Sequence, residues 1–143
     1  MRRGYGTVGP RRYGPVMSAP GDVPPAILAR LRAICRGLPE AYEEPAWIGV
    51  RWRIRQRTIA HVYTRDQDRT GPLVVMTFRA ADDEVAAFAS GGPPFFRAEW
   101  GGNVVGITFG RRTDWVEVGE LLTESYRIMA PKKLAALLPE PPG

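Results

Sequence analysis

The stretch Ile48-Gly49-Val50-Arg51-Trp52-Arg53-Ile54-Arg55 alternates without a break: Ile48, Val50, Trp52 and Ile54 fall on one side, Gly49, Arg51, Arg53 and Arg55 on the other. A period of two is the pleat of a β-strand, so one face is apolar and bound for a core while the other turns a row of guanidinium groups to solvent. Arg55-Gln56-Arg57-Thr58 then reads as a turn into a second strand, Ile59 to Thr64, and the pair makes an antiparallel hairpin. Polar residues Arg65 to Pro72 form the next turn, and Leu73 to Arg79 is a third strand.

Outward from the hairpin the period changes. Upstream, Ile27, Leu31, Ile34, Cys35 and Leu38 hold one helical face, with Asp22 as the expected N-cap and prolines in the first turn. Cys35 lies inside that stripe and is expected to be an inert, buried thiol. Gly37 and Pro39 end the helix, and Leu38-Pro39-Glu40-Ala41-Tyr42-Glu43-Glu44-Pro45 reads as a loop. Downstream, Ala81 to Ser90 is a short helix that Gly91-Gly92-Pro93-Pro94 stops, and strands at Phe95-Phe96-Arg97 and Val104 to Phe109 flank the Gly101-Gly102-Asn103 turn. Asp114 with Glu117 resembles a capping box ahead of the face Trp115, Val118, Leu121, Leu122, Ser125 and Tyr126; Pro131 breaks this helix, and Lys132 to Leu138 begins another short turn. The expected fold is α+β in two layers, an antiparallel sheet of about five strands with helices packed on one face.

The chain has 143 residues, 44% apolar and 24% charged, enough for one core without staples. A single cysteine excludes an internal disulfide and any Cys-rich zinc module, and makes a reducing, cytoplasmic location the expectation. The longest apolar runs, Val85–Ala89 and Leu134–Leu138, are five residues, far short of the ~20 that span a bilayer, so no membrane partner is expected. Of the net charge of +5, residues 1–20 carry +4 and the rest only +1. Residues 1–21, Arg/Gly/Pro-rich, read as a disordered tail, and residues 22–143 as a single domain. Met17, which opens the polar stretch Met17-Ser18-Ala19-Pro20-Gly21-Asp22, reads as an alternative to Met1 as the expected initiator. Within the domain the basic patch is local: between Arg51 and Arg69 there are six arginines and two aspartates.

Leu38-Pro39-Glu40-Ala41-Tyr42-Glu43, the Trp47-to-Ile54 stretch, Pro94-Phe95-Phe96, Thr113-Asp114-Trp115, Leu121-Leu122-Thr123-Glu124-Ser125-Tyr126-Arg127 and Ala130-Pro131-Lys132-Lys133-Leu134 together resemble the MmcQ/YjbR family, over roughly residues 26–138. The resemblance implies a small α+β domain whose antiparallel sheet is likened to a double-wing DNA-binding motif. It carries over no catalytic residue, and its implied DNA binding rests on likeness of fold, which does not entail function.

Two functions follow from the residues. The first is a non-catalytic, electrostatic DNA-binding domain, weak and blind to sequence, using Arg51, Arg53, Arg55 and Arg57 with Lys132 and Lys133, because arginine forks suit phosphate and no recognition helix carries base-reading side chains. The second is a small-ligand-binding or enzymatic domain with a pocket between sheet and helices, lined by His61, Trp100 and Tyr126. An open face shared by the arginines and Lys132 favours the first; an apolar cleft converging on His61 favours the second. Trp47, Trp52 and Trp115 are expected as core anchors, with Trp100 the exposed one. No cofactor is expected, since the glycine pairs follow no strand and open no phosphate-binding helix. Asp66-x-Asp68-x-Thr70-Gly71 imitates a calcium loop but has Thr77 where the bidentate glutamate belongs, so no metal is expected either. A monomer is the default state.

Overall fold

Pairing across the alternating segment builds a six-stranded, wholly antiparallel sheet. The structure, a computed structural model, describes residues 22–66, 71–98 and 101–139; the segment read as a tail, Trp100, and part of the Asp66–Gly71 loop lie outside them. In chain order the elements are α1 (Pro25–Cys35), β1 (Tyr42–Pro45), β2 (Val50–Ile54), β3 (Arg57–Arg65), β4 (Leu73–Arg79), α2 (Asp82–Ser90), β5 (Phe95–Arg97), β6 (Val104–Thr108), α3 (Trp115–Met129) and α4 (Lys132–Ala135). The strands lie in the order β1-β2-β3-β4-β6-β5. The fold is α+β: α3 packs on β3 and β4, α2 on β5 and β6, and α1 on α3. No helix among the described residues is long and apolar enough to cross a membrane.

The segment read as a loop supplies the extra strand. Tyr42-Glu43-Glu44-Pro45 has no apolar alternation, yet it pairs with β2 as the sheet's edge, Tyr42 opposite Arg53 and Glu44 opposite Arg51. Three ion pairs hold it there. Glu43 takes a two-point fork from Arg32 of α1, at 2.8 and 2.7 Å, while Glu44 meets the arginines of β2. A short edge strand with two glutamates and a proline also discourages pairing with another chain. Helix α1 starts later than Asp22 for a steric reason: a residue before proline is driven to extended backbone, and Pro24, which precedes Pro25, has φ −55° and ψ 138°. Helix α3 begins as its sequence indicates, the Asp114 carboxylate accepting from the amides of Val116 and Glu117 at 3.1 Å.

The core lies between the sheet and this helical layer. Trp52, Ala60, Phe78 and Val105 stand side by side on one rung, each 2% exposed or less, against Val118, Leu122 and Tyr126 of α3. Between β2 and β3 the register slips. Trp52 faces Ala60 but Arg53 faces Thr58, so Ile59 is an extra residue with no partner on β2. The pairing of β3 with β4 starts only at Ala60 opposite Phe78. The Ile59 carbonyl and the Arg79 amide, beyond the end of that ladder, are bridged by one hydroxyl: Ser125 Oγ of α3 donates to Ile59 at 2.7 Å and accepts from Arg79 at 2.9 Å. Ser125 is 0% exposed.

Cys35 is buried on the core face of α1, as its place in the stripe indicates. Desolvation, and secondarily the Glu43 charge, push its pKa from the ordinary 9.0 up to about 12. An aromatic disulfide reagent at neutral pH should therefore modify native protein no faster than it unfolds; modification at the rate of the denatured chain would contradict the burial. The unfolded thiol ionises before the native one, so stability falls as pH rises from about 9 towards 12.

Candidate functional site

The face of the sheet turned away from the helices carries one continuous rung across all six strands: Glu44, Arg51, His61, Thr77, Gly106 and Phe96. Gly106 leaves room there for the ring of Phe96, which lies across it and would have to swing aside for any Cβ at this position. Arg65, on the same side of β3, sets its guanidinium 5.3 Å from the centre of the Phe96 ring.

The arginines are not the free row that alternation suggests. Arg51 bonds Glu44 Oε1 through Nε at 2.6 Å, and Arg53 Nη1 reaches the same oxygen at 3.2 Å. Burial acts to raise the Glu44 pKa, but the hydrogen bonds and charges of the two guanidinium groups outweigh it and hold the carboxylate below its ordinary range. Arg53 also donates to the Gln56 carbonyl, and its Nε is buried, so it is half-buried rather than solvent-facing. Arg55 has left the strand. It sits in the two-residue hairpin turn at φ 57°, paired at 3.2 Å with Glu40 in an exposed contact of little energetic weight. Arg57 donates to the Met129 carbonyl at the end of α3, at 3.3 Å. Lys132 and Lys133 open α4, exposed but in the helical layer.

Arg79, absent from the residues singled out by sequence, closes the rim. Its Nε donates to the Thr58 carbonyl at 3.4 Å and its Nη1 to Asn103 Oδ1 at 2.9 Å, both neutral oxygens. Burial first, and the nearby Arg57 second, lower its pKa below the ordinary arginine range. It shares a parity with Thr77 on β4, so carrying the hairpin's alternation one strand further would have found it.

These side chains enclose a concavity of about 270 Å³ between Arg51, His61, Thr58, Thr77 and Arg79, with Trp47 at its mouth. His61 Nε2 lies 2.5 Å from the Ile48 carbonyl, which only accepts, so Nε2 is the donor and Nδ1 is left facing away from this contact. Trp47, expected as a core anchor, is instead 97% exposed, whereas Trp52 is 2% exposed and fully in the core. The structure separates His61 from Tyr126: His61 belongs to the uncovered face, and Tyr126 is buried among the helices with its hydroxyl donating to the Pro39 carbonyl at 2.7 Å. A larger groove of about 660 Å³ runs along α3 and the end of α1, but Glu84, Glu120 and Glu124 line it, which disfavours an anionic ligand. Among the described residues no cluster of three or more His, Cys, Asp or Glu side chains suits a metal ion. Residues 36–128 match the family model described as YjbR, and no curated protein matches the chain.

Proposed function

This chain belongs to the YjbR family, and from that premise and the geometry of its uncovered face we propose that it is a non-catalytic nucleic-acid-binding domain that holds the phosphate backbone without reading sequence. One observation carries the reading: on the side of the sheet that no described helix covers, Arg51 and Arg53 share a single carboxylate, while among the described residues Arg79 is held by neutral oxygens and Arg65 by an aromatic face. Positive charge on this face therefore exceeds negative, and the guanidinium groups are positioned by their hydrogen bonds before a ligand arrives. Arg55, Arg57, Lys132 and Lys133 add to the field from the turn and the helical layer rather than as members of one row. A second reading, a small-ligand site, draws on the concavity at His61. At about 270 Å³ it is just under the ~300–1,000 Å³ of sites that enclose a whole drug-sized ligand, so it suits a fragment of something larger.

Fluorescence anisotropy with a labelled 20-bp duplex across a salt series tests the proposal on the full chain. Affinity should fall with a log–log slope near −0.9 per phosphate contacted, and Arg51→Gln and Arg65→Gln should each reduce that slope by ~1. Replacing Arg2, Arg3, Arg11 and Arg12 by Gln should leave the Arg51 effect in place. Binding that vanishes with those four arginines and ignores Arg51 would overturn the role of the sheet face.

A further inference from the structure

We propose that the Trp47 loop and the concavity behind it form a seat for one unpaired nucleotide, its base stacked on the indole and its phosphate held by Arg51 and Arg79. This rests on the nucleic-acid reading above and narrows it to strands with bases available outside a duplex. An indole 97% exposed is the least expected place for a tryptophan, and this one is not on a slack loop. The tip Ala46–Gly49 is closed by the Ala46 amide donating to the Gly49 carbonyl at 3.0 Å. Gly49, at φ 73°, brings the backbone against Val62 and Tyr63 of β3, closer than any side chain would allow. The Ile48 carbonyl is pinned by His61. Residues on both sides of Trp47 are thus fixed to the sheet, and the indole is presented at the mouth of the concavity in advance.

The chemistry of the walls matches a nucleotide. Arg51 and Arg79 supply charge for a phosphate, while His61 Nδ1 and the hydroxyls of Thr58 and Thr77 offer hydrogen-bond partners at base level. At about 270 Å³ the concavity takes a fragment such as a base edge or a phosphate and excludes a duplex, in which both faces of every internal base are already stacked. Trp47 can therefore contribute only to unpaired bases, and does so with little preference among them, since every base has a π-face.

The test uses the full chain with a labelled 12-nucleotide single strand beside the 20-bp duplex. Trp47→Ala should weaken single-strand binding by about 5- to 100-fold, with Trp47→Phe recovering most of it. Duplex affinity should stay within about twofold of the parent and the salt slope should not change, because no phosphate contact is removed. The intrinsic emission quenched on adding the strand should disappear in Trp47→Phe. Equal effects of Trp47→Ala on strand and duplex, or none on either, overturn the nucleotide seat; the backbone-binding reading then still stands if Arg51→Gln lowers the duplex salt slope. Failure of the parent protein to bind either nucleic acid at low salt overturns both. A folding defect is not a confounder for a side chain so exposed, and matching thermal midpoints for parent and variant verify this.

Discussion

Ser125→Ala is expected to destabilise the protein by about 2–4 kcal/mol, lowering the thermal midpoint by roughly 10 °C. The hydroxyl is the bridge between the Ile59 carbonyl and the Arg79 amide, two backbone groups that lie beyond the end of the β3–β4 ladder. Each buried backbone group left without a partner costs about 1–3 kcal/mol, and at 0% exposure water cannot take the place of the serine. For a domain of this size one kcal/mol corresponds to roughly 3–6 °C. Thr123→Ala is the matched control. Its hydroxyl donates to the Gly119 carbonyl one turn back in the same helix, at 2.7 Å, so its loss should cost ~0.5 kcal/mol or less. Equal losses in the two variants would show that the bridge to Ile59 and Arg79 contributes nothing of its own, since alanine is the better helix former at both positions.

Gly49→Ala is the second large effect, at about 3 kcal/mol or more in urea unfolding. The residue sits at φ 73°, where a Cβ costs roughly 1–2 kcal/mol, and that Cβ would also press on the Val62 carbonyl and come within 2.8 Å of Tyr63 Cβ. The obstacle is mainly backbone, so relief requires the β1–β2 loop to lift away from β3 and to release the Ile48 carbonyl from His61. Gly92 isolates the two contributions. Its φ is 79°, yet nothing lies within 4 Å of an added Cβ, so Gly92→Ala should cost only the backbone part, ~1 kcal/mol. A Gly49 variant no worse than the Gly92 variant would mean that the loop is not held against β3. Faster hydrogen exchange over residues 46–50 should accompany the larger loss, and single-strand binding should fall with it as Trp47 loses its position.

Alternation and helical spacing were enough to determine the two layers, the hairpin from Val50 to Arg65, the burial of Trp52 and Cys35, and the Asp114 cap, because each depends on residues within one turn or one strand of each other. Family membership was legible in the same way, from short blocks of consecutive residues. What covers a face, and which charge answers which, depends on residues distant in the chain, and there the tertiary structure decided. Tyr42–Pro45 became a strand only because β2 offered an unpaired edge and Arg32, Arg51 and Arg53 offered cations to its two glutamates. Tertiary contacts likewise turned a row of arginines, identical by parity, into four different environments: paired, half-buried, in a turn, and bonded to a helix end. Trp47 and Trp52 are five positions apart and equally apolar, but one lies on a strand facing the helices and the other at a loop tip that Gly49 and His61 hold over the opposite face. A side chain's apolarity states what burial would be worth to it; only the packing of distant segments settles whether burial is available.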